Sequence, residues 1–556
     1  MFAPFGFLPY GYIPPEYDNS VPDPFRALLS EPDIQLRYLI ELHPYDESNI
    51  VEHTWLPAPI GWLPFGYTKA KTLGGIETVY LSDMKFITEP TDTPANQYFA
   101  PVVNNPLQFD FSILRGEEFG ISSPSFGAIQ IQNGNGDFDY LAGLSWKGRR
   151  IVVKAGGPSF KYSQFTTVFD GLCNAIEFDD DVITLTIRDN GLKIDQDIVS
   201  ATYDGTGGLE GGDDLSGKMK PLLYGEAFNI EPVLVDPVNL IYQIHAGPMM
   251  GVDAVYDKGA LLAFDEDVTD IAEAAPDAGK YATSLSSGFI KLGSTPAGRI
   301  TADAHGDSAG GYVSSAADIA RRLVMTKLGI QSFSATEIDG AAFNRLDDEI
   351  PGAMGLYITE KAPIRNFLDA LINPCGAYWN FGRTGMLTAG YVDDPGVEIA
   401  TINASNIDTS GIEAPAPISP AWRISVAYAP AWVVQKEDEL AGSATDGYRT
   451  FVGQDYRTVV SEDRSVRTRN AQAVERVFYT TLADKADAES LLARLVRIYG
   501  VERKIYRVPS YGTLFRLYVG DPVKLEYPRF NINKNLSVVG ISEDAETNQT
   551  TLELWG

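Results

Sequence analysis

Two stretches far apart in this chain are written in the same order. The first runs Gly148, then "IVV", then "VFDGL", an acidic turn and "TLTI". The second runs Gly520, then "VKL", then "VVGI", an acidic turn and "TLEL". The segments from Gly148 to Gly171 and from Gly520 to Gly540 differ little in length. Each leads into an alternating strand ending by Ile187 and by Leu554. Alternation with period two fixes which side chains face a core, so a repeated alternating pattern restricts the chain to a repeated β arrangement. The reading is two copies of one β module. The competing reading is that any two β meanders look alike, because turn residues recur by physical need.

Most of the remaining sequence also reads as β. "QLRYLIELHPY", "TVYLSDMKFIT", "QFDFSIL", "GAIQIQNGNGDFDYL", "RRIVVKAG", "FTTVFDGLCNAIEF" and "VITLTIRD" follow at short spacing, bounded by Gly, Pro and Asn. That is the pattern of an antiparallel barrel or sandwich. The expected fold class is mainly β with α+β insertions: two related antiparallel β-barrel modules linked by β-rich and helical segments. A chain of 556 residues exceeds one compact core.

Helices are expected at three places. Ser315 caps "AADIARRLVMTKLG", with Asp318 three residues on, an apolar face of Ile319, Leu323, Val324 and Leu328, and Gly329 as the stop. "IRNFLDALINPCG" ends at Pro374 and leads into a hairpin turning at Gly382, Arg383, Thr384 and Gly385. "DKADAESLLARLVRIYG" turns Leu491, Leu492, Leu495 and Ile498 inward. Asp204 to Pro237 is Gly- and Pro-rich and marks a boundary or an extended loop. The expected division is a Pro/aromatic arm at 1–30, a first β module at 31–200, a β-rich insertion with a Gly/Pro-rich entry loop at 201–310, an α/β linker domain at 311–400, and a second β module with helix 484–499 at 401–556.

Charge narrows the partners. Lys plus Arg is 44 and Asp plus Glu is 74, a net charge of −30. Such a surface repels phosphate backbones and anionic lipid. No run of about 18 apolar residues offers a membrane span. The opening "MFAPFGFLPYGYIPPEYDNSVPDPF" lacks a basic start and an unbroken apolar stretch, so it does not read as a signal peptide. Its prolines at 4, 9, 14, 15, 22 and 24 forbid regular helix there. The arm drapes over its own domain or docks on a neighbour. Cys173 and Cys375 are too few for a disulfide framework and read as small buried thiols.

Three motifs tempt and fail. "HGDSAGG" places Ser308 in G-x-S-x-G, but the histidines are His43, His53, His245 and His305, and none follows the serine as that fold requires. Gly212, Gly217 and Lys218 fit a phosphate loop, yet Met219 replaces the magnesium-binding hydroxyl, Asp213 and Asp214 oppose phosphate, and Pro221 obstructs the helix. A calcium loop from Asn133 would need Gly at 138 and an acid at 144; the chain has Phe138 and Leu144. The stretch reads instead as a hairpin turn presenting Asp137 and Asp139 to water. The acidic runs 177–181, 264–270 and 346–349 read as solvated turns. No catalytic, cofactor-binding or metal-binding residue is expected, and no cofactor.

"PLLYGEAFNIEPVLVDPVNLIYQI", "GFIKLGSTPAGRITADAHGD" and "GDPVKLEYPRF…LSVVGI…TTLELWG" give the chain, from about Arg37 onward, a resemblance to baseplate hub proteins of long-tailed bacteriophages, as in siphophages of the Mu-like transposable type and related gene-transfer particles. The resemblance rests on phrasing and order, not on a catalytic signature. It implies a non-enzymatic homotrimer that joins a six-fold tail tube to a three-fold tip and forms part of the DNA-ejection channel. The implied partners are distal tail or tube proteins, the C-terminus of a tape-measure protein, and central fibre or tip proteins. The genome would pass an acidic lumen without specific binding. The implied location is the virion tail tip, assembled in the host cytoplasm. A six-copy distal-tail ring protein shares the barrel. The alternative from another class is a cell-envelope hydrolase, esterase or glycosidase, or a receptor- or carbohydrate-binding tail protein.

Overall fold

In a computed structural model of the chain, residues 24–29, 35–53, 70–115, 118–120, 126–198, 201–325, 333–408, 410–413, 417–511 and 515–556 are described. The fold is mainly β with helical insertions, spread over several sheets. The largest sheet carries fifteen strands and contains both expected β modules.

Each module is a four-stranded unit. The first unit has Phe126–Gln132, Arg150–Gly156, Thr166–Phe178 and Val182–Arg188. The second has Arg503–Tyr511, Pro522–Tyr527, Ile532–Asp544 and Gln549–Trp555. In both, the first strand pairs with the fourth, the fourth with the third and the third with the second, all antiparallel. The third strands are both 13 residues long and the fourth strands both 7.

Register makes the likeness specific. Leu172 faces Arg188, Cys173 faces Ile187, and after a bulge Ala175 faces Thr186. In the second unit Ser537 faces Trp555, Val538 faces Leu554, and after the same bulge Gly540 faces Glu553. Asn174 and Val539 are the extra residues. A bulge adds local bend and twist, so one at the same place curves both units alike. The Gly148 N–H donates to the Cys173 carbonyl (2.8 Å) and the Cys173 N–H to the Arg149 carbonyl (2.7 Å). Likewise the Gly520 N–H donates to the Val538 carbonyl (2.8 Å) and the Val538 N–H to the Asp521 carbonyl (2.9 Å). Gly148 and Gly520 both hold positive φ, 73° and 93°, which only glycine adopts freely. The first strands, Phe126–Gln132 and Arg503–Tyr511, complete the repeat. Gly171 and Gly540, which bound the repeat in the sequence, are not counterparts: register sets Gly171 against Leu536 and Gly540 against Ala175.

Each unit has its own core. Ile129, Ile151, Val153, Leu185 and Ile187 fill the first; Val508, Leu525, Leu536, Leu552 and Leu554 fill the second. The expected barrels do not close as hydrogen-bonded rings among the described residues. Instead, strand Val103–Ser112 pairs with Phe126–Gln132 on one side and with Ile532–Asp544 on the other, fusing both units into one sheet.

Between the units in sequence lie two five-stranded sheets. One is ordered Ala260–Leu261, Met249–Asp257, Ile300–Asp307, Leu222–Ile230, Gly355–Ile358; the other Val233–Asp236, Ile241–Gln243, Phe289–Leu292, Lys280–Ser284, Ala263–Asp267. Strands Leu222–Ile230 and Val233–Asp236 therefore occupy part of the stretch expected as a boundary loop. Its prolines flank these strands rather than interrupt them.

The expected helices form at Ala316–Met325, Ile364–Ile372 and Lys485–Tyr499. The Asp318 N–H donates to Ser315 Oγ (3.2 Å), the expected cap. Leu328 and Gly329 lie outside the described residues. Helix Lys485–Tyr499 packs on a three-stranded sheet of Arg457–Glu462, Ala421–Tyr428 and Val474–Tyr479. Its Leu491, Leu495 and Ile498 join the core containing Ile319, Leu323 and Leu368, not the core of the second unit. Helix Pro24–Leu29 corrects the expectation for its part of the arm: proline is tolerated in a first helical turn, and Phe25 and Leu29 are buried in the first unit's core. The arm through residue 23 lies outside the described residues. Cys173 and Cys375 are buried and unpaired with each other. No described helix is long and apolar enough to cross a membrane.

Candidate functional site

Ser308 follows strand Ile300–Asp307, and its N–H donates to the Pro248 carbonyl (3.0 Å). No histidine reaches its hydroxyl among the described residues. His305 places Nε2 2.8 Å from Asp253 and Nδ1 2.9 Å from the Tyr312 hydroxyl. His245 Nδ1 accepts from the Leu223 N–H (3.0 Å), and its Nε2 lies 3.7 Å from the Asp307 carboxylate.

The Gly212–Lys218 loop is followed by strand Leu222–Ile230, so it lacks the helix N-terminus that a phosphate loop requires. Asp213, Asp214 and Lys218 are exposed. The Asn133 stretch is not a hairpin: strand Phe126–Gln132 pairs with Val182–Arg188 and Val103–Ser112, and a 3-10 turn, Asp139–Gly143, follows. Asn133 Nδ2 donates to Asp139 (2.7 Å) and Asn135 Nδ2 to Asp137 (2.6 Å), so the loop's own amides hold both exposed acids. Of the acidic runs, 177–181 is exposed as expected, but Glu177 and Phe178 end strand Thr166–Phe178 and the turn is confined to 179–181. Residues 263–267 form an edge strand and 346–349 end helix Gly340–Glu349, because register and helix periodicity absorb them.

A cavity of about 500 Å³ opens beside Tyr256, Tyr448, Phe228, Phe451 and Asp303. Asp303 accepts from the Tyr256 hydroxyl (2.9 Å) and the Asn229 N–H (2.7 Å), and burial raises its carboxyl above the usual carboxylate range. It is the one carboxylate in the described lining, whereas glycoside hydrolysis needs two across a cleft.

The strongest constellation is the joint between the two β units. Residues Gln108 to Ser112 run antiparallel to Gly540–Asp544, and the Ile113 N–H donates to the Val539 carbonyl (2.9 Å). Pairing parity therefore directs the peptide groups of Ile541 and Glu543 at the neighbouring strand. The hairpin turn at Gly382–Gly385 clasps this joint. The Arg383 carbonyl accepts the Asp170 N–H of the first unit (2.8 Å), and Asn190 Nδ2 donates to the Gly385 carbonyl (2.8 Å). The Arg383 side chain turns to the second unit: Nε donates to Glu543 (3.0 Å) and Nη2 to the Leu517 carbonyl (2.7 Å). Glu543 is only 4% exposed, a buried acid answered by a partly buried guanidinium.

The first unit has the same edge without a cover. Ala175, Ile176 and Phe178 stand where Gly540, Ile541 and Glu543 stand in the second unit, and among the described residues no strand pairs with them on that side. Phe178 is 39% exposed. Sequence reasoning identified the repeat but missed this asymmetry. The available signal was Phe178 at the place of Glu543, visible only once the register is known.

No protein-family model matches the chain, and no curated protein matches it. The solved structures to which it is similar include phage tail proteins. The tail protein from Neisseria meningitidis shares 10% identity over 82% of this chain and 95% of that one, with a TM-score of 0.37. The 43 kDa tail protein of prophage MuSo2 from Shewanella oneidensis shares 9% over 83% and 96%, at 0.32. The prophage tail protein gp18 from Listeria monocytogenes shares 8% over 82% and 90%, at 0.32.

Proposed function

We propose that this chain is a structural hub of a phage tail tip, working as a ring of three copies. The observation that carries the reading is the repeated unit whose covered edge in one copy is open in the other. Inside the chain, the edge at Gly540–Asp544 of the second unit is taken by a strand leading into the first. The matching edge, Ala175 to Phe178 of the first unit, faces outward. An exposed strand edge is a template for pairing with another chain. A head-to-tail contact of that kind closes into a ring when its rotation permits. Three chains present six similar units, which suits contact with a six-fold tube on one side and three-fold tip components on the other. The sequence phrasing that resembles baseplate hubs points the same way.

In this reading the partners are tube or distal-tail proteins, a tape-measure C-terminus and central tip proteins, and the location is the virion. The net charge of −30 favours a lumen that repels a passing genome. The role requires no catalytic residue. Particle imaging and native mass measurement test it. A three-fold ring is expected from the parent protein. Phe178→Pro removes an outward N–H on the open edge and is expected to give monomers, while Phe178→Ala, which keeps the N–H, still assembles. Assembly of Phe178→Pro as well as the parent would overturn the edge contact.

A further inference from the structure

A second group of chemically capable residues lies away from this joint, on the sheet of Leu222–Ile230, Ile300–Asp307 and Met249–Asp257. His305 sits on the central strand. Glu226 faces it directly on one neighbouring strand, and Gly251 on the other. Between Val252 and Ala254 the register shifts, so Asp253 is the extra residue of a bulge. Bulges re-aim side chains, and here the Asp253 carboxylate comes within 2.8 Å of His305 Nε2. One ligand atom from each of Glu226, Asp253 and His305 lies within 4.8 Å of the other two.

Three further observations concern what this group holds. First, a Cβ added at Gly251 would meet nothing within 4 Å, so the position opposite the imidazole leaves open space. Second, the charges there are unbalanced. Two carboxylates, half-buried Glu226 and exposed Asp253, meet at the single imidazole of His305. A half-buried carboxylate such as Glu226 is paired or holds a metal ion. Third, His305 Nδ1 lies 2.9 Å from the Tyr312 hydroxyl, and Nε2 faces the acidic side, 2.8 Å from Asp253. A second ring nitrogen held by an oxygen is the usual support of a metal-binding histidine.

We infer that Glu226, Asp253 and His305 form a binding site for one divalent first-row transition ion, with Nε2 and one oxygen from each carboxylate as ligands. One nitrogen and two oxygens without thiolate suit Zn²⁺ or Mn²⁺ over copper(I) or an iron–sulfur cluster. A tetrahedral ion with bonds of about 2.0–2.2 Å separates its ligands by roughly 3.3–3.6 Å, so side-chain rotation must open the 2.8 Å Asp253–His305 pair to admit it. Three protein ligands leave a coordination position for water or for a group from a neighbouring protein. Tyr312 is a positioning residue that fixes the ring.

The test uses the full chain stripped with a chelator and titrated with Zn²⁺ in excess Mg²⁺. Calorimetry reads affinity, and elemental analysis after desalting reads stoichiometry. One Zn²⁺ per chain is expected, lost in Asp253→Asn and in His305→Ala. In Tyr312→Phe the affinity falls by about 10–100-fold. Asp253 is exposed, so its variant keeps the test valid if His305→Ala folds poorly. Failure of the parent to retain stoichiometric Zn²⁺, or equal retention by Asp253→Asn, would overturn the site and leave an ordinary Asp–His ion pair.

Discussion

The two β units share a ladder and differ at their edges. Strand order, strand length, bulge position and the left-handed glycine before the second strand coincide. At matching places, however, Glu543 is buried beneath Arg383 and Phe178 lies open. Asp521 is buried where the first unit has half-exposed Arg149. Leu536 fills core where Gly171 lets backbone approach. The lesson is that backbone hydrogen bonding and alternation suffice to repeat a unit. The side chains that differ are those meeting something outside it.

Breaking the joint should have the largest effect. Arg383→Ala leaves the Glu543 carboxylate buried without its partner, and loss of about 3–5 kcal/mol is expected in urea unfolding. Adding Glu543→Gln should recover part of it, since a neutral amide costs less to bury. Equal losses in single and double variants would show that the clasp acts through the turn's backbone instead.

The next test separates the units by pH. Burial pushes the Asp521 carboxyl up to about 6. The unfolded chain releases this proton near pH 4, so the folded chain holds more protons between about pH 4 and 6, and stability falls as pH rises through that window. Asp521→Asn should remove this fall, a difference on the order of 2–3 kcal/mol at pH 7. The first unit carries Arg149 at this place.

Gly171→Leu gives the first unit the residue that its counterpart carries. A Cβ at Gly171 would meet the Arg188 carbonyl oxygen at 2.5 Å and Phe169 at 2.5 Å, so destabilisation of about 1–3 kcal/mol is expected in thermal unfolding. Neutrality would mean the units are interchangeable at this position. The smallest effect is expected from Phe178→Pro in the monomer. Proline is tolerated on an open edge, so stability should change by about 0.5 kcal/mol or less, even as assembly is lost.

Much of this was legible in the residues. Alternation in "TLTI" and "TLEL", with a glycine before each second strand, marked the repeat because period two and positive φ are local properties. The cap at Ser315, the stop at Pro374 and the apolar face of Leu491, Leu495 and Ile498 were readable for the same reason. The order of the histidines, all N-terminal to Ser308, was likewise readable from the residues. The helix within Asp446–Val452 and the strands inside 204–237 were not legible, because their tertiary neighbours stabilise them more than their own pattern does.

The sequence by itself determined the β character, the duplication and the acidic surface, since each follows from residue type and spacing along the chain. Only the tertiary structure decided which strand edge is covered, which acid is buried under Arg383, and that Glu226, Asp253 and His305 meet. Pairing across hundreds of residues is set by register, and one bulge changes where a side chain points without leaving a mark that period or composition can reveal.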